Sequence, residues 1–353
     1  MTEPQFTDNT PRREIGRWEA RDWAPLVSLA VLIVFFGLTA PGFFRFGTLE
    51  MILNKGAVLA IVAAGLTFVL LCAEIDLSVG MMALWSACYC GWVFQNYAMG
   101  PSGEPPDSAW TVAAAILIPL WSCCLLGLGC GVLTVWARLP SFIISLAMMF
   151  IAEGLSRWIT HSESFKVPGV LKTLGNDGIP VPLPLGAQFS IPYSAVLAAA
   201  VLLVAHLVLQ HTRFGRYVYM TGGNREAARL AGVRTGLIVI AAMAICAVTA
   251  AAAGMINSGW LGNVTVDQNK DLLLSSVACV VLGGTSLFGG EGGIGKTIVG
   301  VLTFTVLNVG LTLIEQINLG VVVIPIDDFV RQLATGIVLM VALVINGILA
   351  KRR

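Results

Sequence analysis

The stretch G-G-E-G-G-I-G-K-T-I-V-G, Gly289 to Gly300, decides the fold, because two incompatible architectures meet in it. From Gly290 to Thr297 it matches the phosphate-loop pattern G-x-x-x-x-G-K-T in full. A working loop of that kind needs a strand before it and a helix after it. Its amides then wrap the phosphates while the lysine contacts them and the hydroxyl holds magnesium. Outward from this stretch lie instead two apolar runs, 272–288 and 297–315, each long enough to cross a membrane. No parallel sheet can form around two such spans. The glycines then read as a tight turn, and Lys296 as a basic residue at the membrane edge.

Composition supports the second architecture. Of the 353 residues, 57% are hydrophobic and 12% charged, whereas soluble chains carry about 25% charge. The mean hydropathy is +0.84. Long apolar runs recur along the chain, about ten in all: 24–44, 55–73, 80–99, 111–136, 141–160, 193–211, 236–256, 272–288, 297–315 and 329–350. The expected fold is an all-α, polytopic membrane protein. A cytoplasmic tail, 1–23, precedes a transmembrane domain, 24–350, and a basic tail, 351–353, closes the chain. The first span lacks a small-residue cleavage site and reads as a retained helix. With both termini inside, 14 of the 21 basic residues fall on cytoplasmic segments, which is the positive-inside pattern.

A net charge of +1 gives no case for nucleic acid as a partner. The eight cysteines lie in apolar runs; Cys88 and Cys90, and Cys123 and Cys124, lack metal spacing. With three scattered histidines, no metal site and no hydrolase constellation is expected. The run Gly127, Gly129 and Gly131 reads as a close-packing seam rather than a ligand site, with Gly127 and Gly131 at the G-x-x-x-G spacing of tightly packed membrane helices.

Two polar loops stand out. The longest outer one, 161–192, is rich in proline and reads equally as a docking surface or as a plain connection; a second outer turn, 101–108, is short and acidic. The inner one, 213–236, reads R-F-G-R-Y-V-Y-M-T-G-G-N-R-E-A-A-R-L-A-G-V-R-T-G. It predicts a turn at Gly222, Gly223 and Asn224, then a short helix with Glu226 in its first turn and Gly232 at its end. Ala227, Ala228, Leu230 and Ala231 give that helix a compact apolar face, suited to a groove on a cytoplasmic partner.

Four stretches then carry a resemblance. Glu226-Ala227-Ala228 followed by Gly232, with Arg225 before them, resembles the E-A-A-x-x-x-G coupling loop of ABC-importer permeases. E-I-D-L-S-V-G, Glu74 to Gly80, is similar to the I-D-L-S-V-G element of their ribose, xylose and arabinose branch. L-P-S-F-I-I-S-L-A-M-M-F-I-A-E-G-L, 139–155, resembles its P-S-F-I segment, and V-V-L-G-G-T-S-L-F-G-G-E-G-G, 280–293, its V-L-G-G element. The four occur in the family's order across roughly 50–350. Two departures are Glu74, where the family often has a small residue, and Glu153, where an arginine is common. Glu153 and Arg157 are spaced i,i+4 on one helix face.

The resemblance implies a helical permease in the bacterial inner membrane that works as a pair, with itself or a close paralogue. It implies a solute-binding protein outside and an ATP-binding subunit on the 213–236 loop. ATP and magnesium would sit on that subunit, leaving this chain with no cofactor and no catalytic residue. Neither an Asp-Glu pair ending an apolar run nor an ABC signature accompanies Gly290–Thr297. The solute would be a monosaccharide or similar small polar molecule.

The residues themselves add candidates for the solute's route. Glu74 and Asp76 lie beside apolar runs, where unpaired carboxylates are costly. Ser78 and Gly80 complete a stretch that breaks helical periodicity, which is tolerated only inside protein or along a water path. Asp76 either caps the next helix or lines the route. Ser275, Ser276, Asn308 and Thr312 either face the path or join helices by hydrogen bonds. So few polar groups in the spans suggest a smooth, weakly binding channel. The competing class is an ion-driven secondary transporter in which Glu74 and Asp76 carry protons or cations.

Overall fold

The structure is a computed structural model that describes residues 20–98, 108–182, 188–314, 316–318, 323–325, 329–337 and 340. Most of the expected N-terminal tail, most of the 101–108 turn, most of the last expected span and the basic C-terminal tail lie outside them.

The helices follow the apolar runs. They are α1 (Ala20–Thr39), α2 (Phe46–Leu71), α3 (Val79–Ala98), α4 (Ala109–Ala137) and α5 (Ser141–Thr160). After strand β1 (Phe165–Lys166) come α6 (Gly169–Asn176), β2 (Gly178–Pro182) and β3 (Gln188–Pro192). Then follow α7 (Tyr193–His211), α8 (Arg213–Gly223), α9 (Arg225–Leu230), α10 (Thr235–Leu261), β4 (Asn263–Val264), α11 (Leu272–Leu282) and α12 (Ile294–Leu313), with β5 (Gln316–Asn318) and β6 (Val323–Pro325).

The all-helical expectation needs one correction. Among the described residues there are three two-stranded antiparallel ribbons, β1 with β4, β2 with β3, and β5 with β6. The proline-rich segment 161–192 is thus partly ordered as α6 and a hairpin. Pro180 and Pro182 are tolerated because a two-stranded ribbon is all edge.

The count of about ten spans is also coarser in the structure. Among the described residues, six helices are long and apolar enough to cross a membrane: α2, α4, α5, α7, α10 and α12. Helix α3 carries Trp, Tyr, Gln and Asn side chains and packs among its neighbours. Helix α11 stops at Leu282, well short of the expected 288, because Gly283 and Gly284 (φ +94°) turn the chain. Its 11 residues span only about 16 Å at 1.5 Å per residue, half of a hydrocarbon core.

Helix α2 begins nine residues before the apolar run. Its polar first turns are satisfied from far along the chain: Glu50 Oε1 accepts from Ser190 N (2.6 Å) and Oγ (3.1 Å), and Ser194 Oγ donates to Asn54 Oδ1 (2.8 Å).

Helices α2 and α10 form the centre, their buried faces rich in alanine and glycine, which lets backbones approach. The glycine seam on α4 packs at Gly127 and Gly131 but not at Gly129, where the sequence reading also placed it. A Cβ at Gly127 would stand 2.5 Å from Ala247 Cβ, and one at Gly131 2.7 Å from Ile240 Cα, whereas Gly129 faces open space. Large apolar side chains point outward on α1, α4, α5 and α7, Leu38 and Trp136 among them, which suits lipid surroundings.

Candidate functional site

Three of the four stretches singled out in the sequence meet at the end of the bundle where α2 stops, and the fourth holds them there. Helix α2 ends at Leu71, and Ala73 (φ +60°) turns the chain into an extended strap that continues to Ser78. A strap inside a membrane protein must find partners for its backbone. Helix α5 supplies them: Ser141 Oγ accepts from Ile75 N and Ser145 Oγ from Leu77 N, both at 3.0 Å. Sequence reasoning passed over these two serines, although a Ser-x-x-x-Ser repeat on one helix face was a signal.

Asp76 is 2% exposed. Its Oδ1 accepts from Ser78 N (2.8 Å) and Ser78 Oγ (2.6 Å), and Ser78 O accepts from Met82 N (2.8 Å) to open α3. This geometry is an i,i+2 turn just ahead of α3: both bonds go to Ser78, the residue before the helix, and none to an amide within Val79–Ala98.

At the start of the strap, Glu74 meets the inner loop. Arg225 Nη2 donates to Glu74 Oε1 at 2.5 Å and to Cys72 O at 3.3 Å. Glu74 is 8% exposed, so a guanidinium beside it offsets an otherwise costly buried carboxylate.

The loop itself is more helical than expected. Gly222 and Gly223 are the last residues of α8, whose start is capped by Thr212, so the expected three-residue turn shrinks to Asn224. Asn224 N donates to Met220 O (3.1 Å) and its Oδ1 accepts from Ala227 N (3.0 Å), closing one helix and opening the next. In α9 only Ala228 is buried. Glu226, Ala227, Leu230, Ala231 and Gly232 (φ +83°) are not buried, and Leu230 is 84% exposed. The compact apolar face therefore points outward, except at Ala228.

The glycine turn docks on the same place. Gly290 N donates to Leu71 O (3.0 Å) and Tyr219 Oη of α8 to Gly292 O (3.1 Å). Gly289, Gly290, Gly292 and Gly293 all have positive φ and form the turn between α11 and α12. The element before the G-K-T pattern is thus a helix and not a strand. Thr297 is fully buried, its hydroxyl 2.8 Å from that of Thr67 on α2. A hydroxyl locked into a helix contact cannot reach a phosphate-bound metal, and the pattern is a turn.

The remaining candidates lie elsewhere. Ser275 and Asn308 line one cavity of about 360 Å³ between α2, α10, α11 and α12. Thr312 instead donates to Asn308 O (2.8 Å) within its own helix, and Ser276 to Leu273 O (2.9 Å). Gly80 reaches the back of the cavity wall: a Cβ there would stand 3.0 Å from Asn269 O and 3.4 Å from Leu273 N. Sequence reasoning missed Asn257, Asn269 and Thr305, which line the same cavity. Glu153 and Arg157 pair at 3.0 Å on α5. Among the described residues no cluster of His, Cys, Asp or Glu could hold a metal ion.

These features define a membrane permease. Residues 48–345 match the family described as branched-chain amino acid transport system / permease component, and the chain belongs to that family. It is a transport subunit rather than an enzyme. It is 32% identical to the ribose import permease protein of Escherichia coli K12, over 91% of this chain and 92% of that one. It is 30% identical to the fructose import permease protein of Rhizobium meliloti (88% and 86%) and 29% identical to the autoinducer 2 import system permease protein of Yersinia pseudotuberculosis (93% and 85%). No solved structure matches the chain.

Proposed function

We propose that this chain is the membrane-spanning half of an ABC importer for a monosaccharide or a similar small polar solute. The observation that carries the reading is α9: a short helix tied to the strap through Arg225, with Glu226, Ala227, Leu230 and Gly232 left facing outward. Such a helix fits a groove on an ATP-binding subunit, and its tether passes movement to the membrane helices. The ends of α2, α8, α11 and α4 that gather Arg138, Arg213, Arg216, Arg225, Arg229, Arg234 and Lys296 face the cytoplasm, in keeping with the positive-inside rule. The opposite end, with α6 and the β2–β3 hairpin, receives solute from a binding protein. Two copies of the chain, or this chain and a close paralogue, form the pathway. ATP and magnesium bind the partner subunit.

The test is uptake into vesicles holding the permease with its ATPase and binding protein. Glu226→Lys and Gly232→Trp are expected to abolish uptake while the protein still inserts. Normal uptake with unchanged co-purification of the ATPase would remove the assignment of α9. Uptake driven by an ion gradient without nucleotide would remove the importer reading altogether.

A further inference from the structure

The cavity between α2, α10, α11 and α12 is a built polar site. Thr305 is 1% exposed and Asn269 8%. Neither Thr305 Oγ1 nor Asn269 Nδ2 has a hydrogen-bond partner among the described residues, and both side chains line the cavity. Leaving a buried polar group unpaired costs ~1–3 kcal/mol, so such groups mark places where a ligand supplies the missing bond. The other threonines of α12 show the contrast: Thr303 donates to Val299 O (2.7 Å) and Thr312 to Asn308 O (2.8 Å).

The wall is matched to hydroxyl groups. Asn257 Nδ2 donates to Asn269 Oδ1 (2.7 Å), which fixes the Asn269 amide and leaves its own NH₂ as the donor on offer. Ser275 and Asn308 add two further polar side chains, and Trp260 offers an aromatic surface of the kind that packs on the C–H face of a ring. The charges in the wall balance. Lys55 and Lys270 stand against Asp267 and Asp271, with Lys270 bonded to Asp267 at 2.6 Å. A wall of zero net formal charge offers no excess of one sign by which to select an ion. The volume, about 360 Å³, lies at the small end of ligand sites, ~300–1,000 Å³.

We infer that the permease itself holds an uncharged polyhydroxylated solute in this cavity, within a single chain, on Thr305, Asn269, Asn257, Ser275 and Asn308. The inference rests on the importer reading and departs from the expectation of a smooth, weakly binding channel.

The test uses the assembled importer carrying Ser275→Cys, labelled with a small hydrophilic methanethiosulfonate. The unsubstituted complex measures the background from the native thiols. D-Ribose and D-fructose are the neutral probes, D-gluconate and D-glucosamine the charged controls. Labelling of the Ser275→Cys complex above that background is expected to slow at least threefold with a transported neutral sugar and to be unaffected by the charged pair. Adding Thr305→Val, a near-isosteric change, should raise the half-protecting concentration at least fivefold. Uptake is measured on the same complex. Uptake of a sugar without protection, or protection indifferent to Thr305→Val, overturns the site and leaves the importer reading intact. Protection without uptake upholds the site and removes the importer reading. Neither uptake nor protection overturns both.

Discussion

Replacing Arg225 by glutamine should release α9 from the strap. Arg225 gives two hydrogen bonds, to Glu74 Oε1 and Cys72 O. The Glu74 side chain is 10% exposed and that of Arg225 40%, so the pair lies between two limits. Exposed ion pairs contribute ~0–1 kcal/mol, and breaking a fully buried one costs ~3–5 kcal/mol. A value of about 2 kcal/mol follows for Arg225→Gln, roughly thirtyfold in the equilibrium between held and released α9. Glu74→Gln keeps an amide oxygen for the guanidinium and leaves the Cys72 bond alone. It should cost about 1 kcal/mol, roughly fivefold. The assay is hydrogen exchange at the amides of residues 226–231 in the assembled importer without nucleotide, which reads local opening directly. The double variant should exchange like Arg225→Gln alone, because both changes remove one interaction. Effects that multiply in the double variant, or exchange that stays at the native rate in Arg225→Gln, would refute the tether.

Three further changes test the surroundings. Lys296→Ala should leave ATP hydrolysis by the complex unchanged, and Thr297→Val should lower thermal stability by about 1 kcal/mol through the lost contact with the Thr67 hydroxyl; loss of nucleotide binding in either would revive the phosphate loop. Ser141→Ala with Ser145→Ala leaves Ile75 N and Leu77 N unpaired, costing ~1–3 kcal/mol each, read as a lower melting temperature and faster cleavage of the strap by protease. Gly131→Leu forces a side chain onto the backbone of Ile240 and should prevent accumulation of folded protein, whereas Gly129→Leu, facing open space, should not.

Much of the architecture was legible because a hydrocarbon solvent demands long apolar runs, and hydropathy finds them. The misplaced boundaries have local causes. Glu50, Asn54 and Lys55 interrupt the run of α2, and the partners of Glu50 and Asn54 lie 140 residues away, at Ser190 and Ser194. Gly283-Gly284-Thr285-Ser286 was a turn signal inside the run drawn as 272–288, and window-averaged hydropathy carried the span through it although α11 ends at Leu282. The separate stretches were visible, but their meeting was not. Ile75 and Ser141 are 66 residues apart, and Glu74 and Arg225 are 151 apart. In the cavity, Ser275 and Asn308 stood out as polar residues in spans. Thr312 stood out on the same helix and Thr305 did not, because sequence cannot tell a threonine whose hydroxyl bonds its own backbone, as Thr312 does, from one left without a partner. Asn269 lay in a loop where polarity is ordinary.

The strap explains how one end of the molecule can act on the other. Its first residue after the turn, Glu74, is held by α9, and Gly80, six positions on, abuts the backbone of Asn269 and Leu273 behind the cavity. The strap ends at Ser78 and Gly80 lies in the first turn of α3, so Glu74 and Gly80 are less than about 20 Å apart along the chain and a single short segment joins the two places. Helix α2 makes the same journey, with Val58 and Leu59 in the cavity wall and Leu71 O bonded to the glycine turn. Coupling between sites requires an element with two arrangements that both sites bias. The strap meets that requirement better than a continuous helix, because its backbone is held by two serine hydroxyls rather than by its own ladder. Shifting it exchanges a few side-chain bonds and does not melt a helix. Were a solute at Asn269 to favour one position of the strap and a docked α9 another, the two sites would be coupled through it. By reciprocity each would change the affinity for its counterpart by the same factor, which is the minimum an ATP-driven import cycle needs from its membrane half.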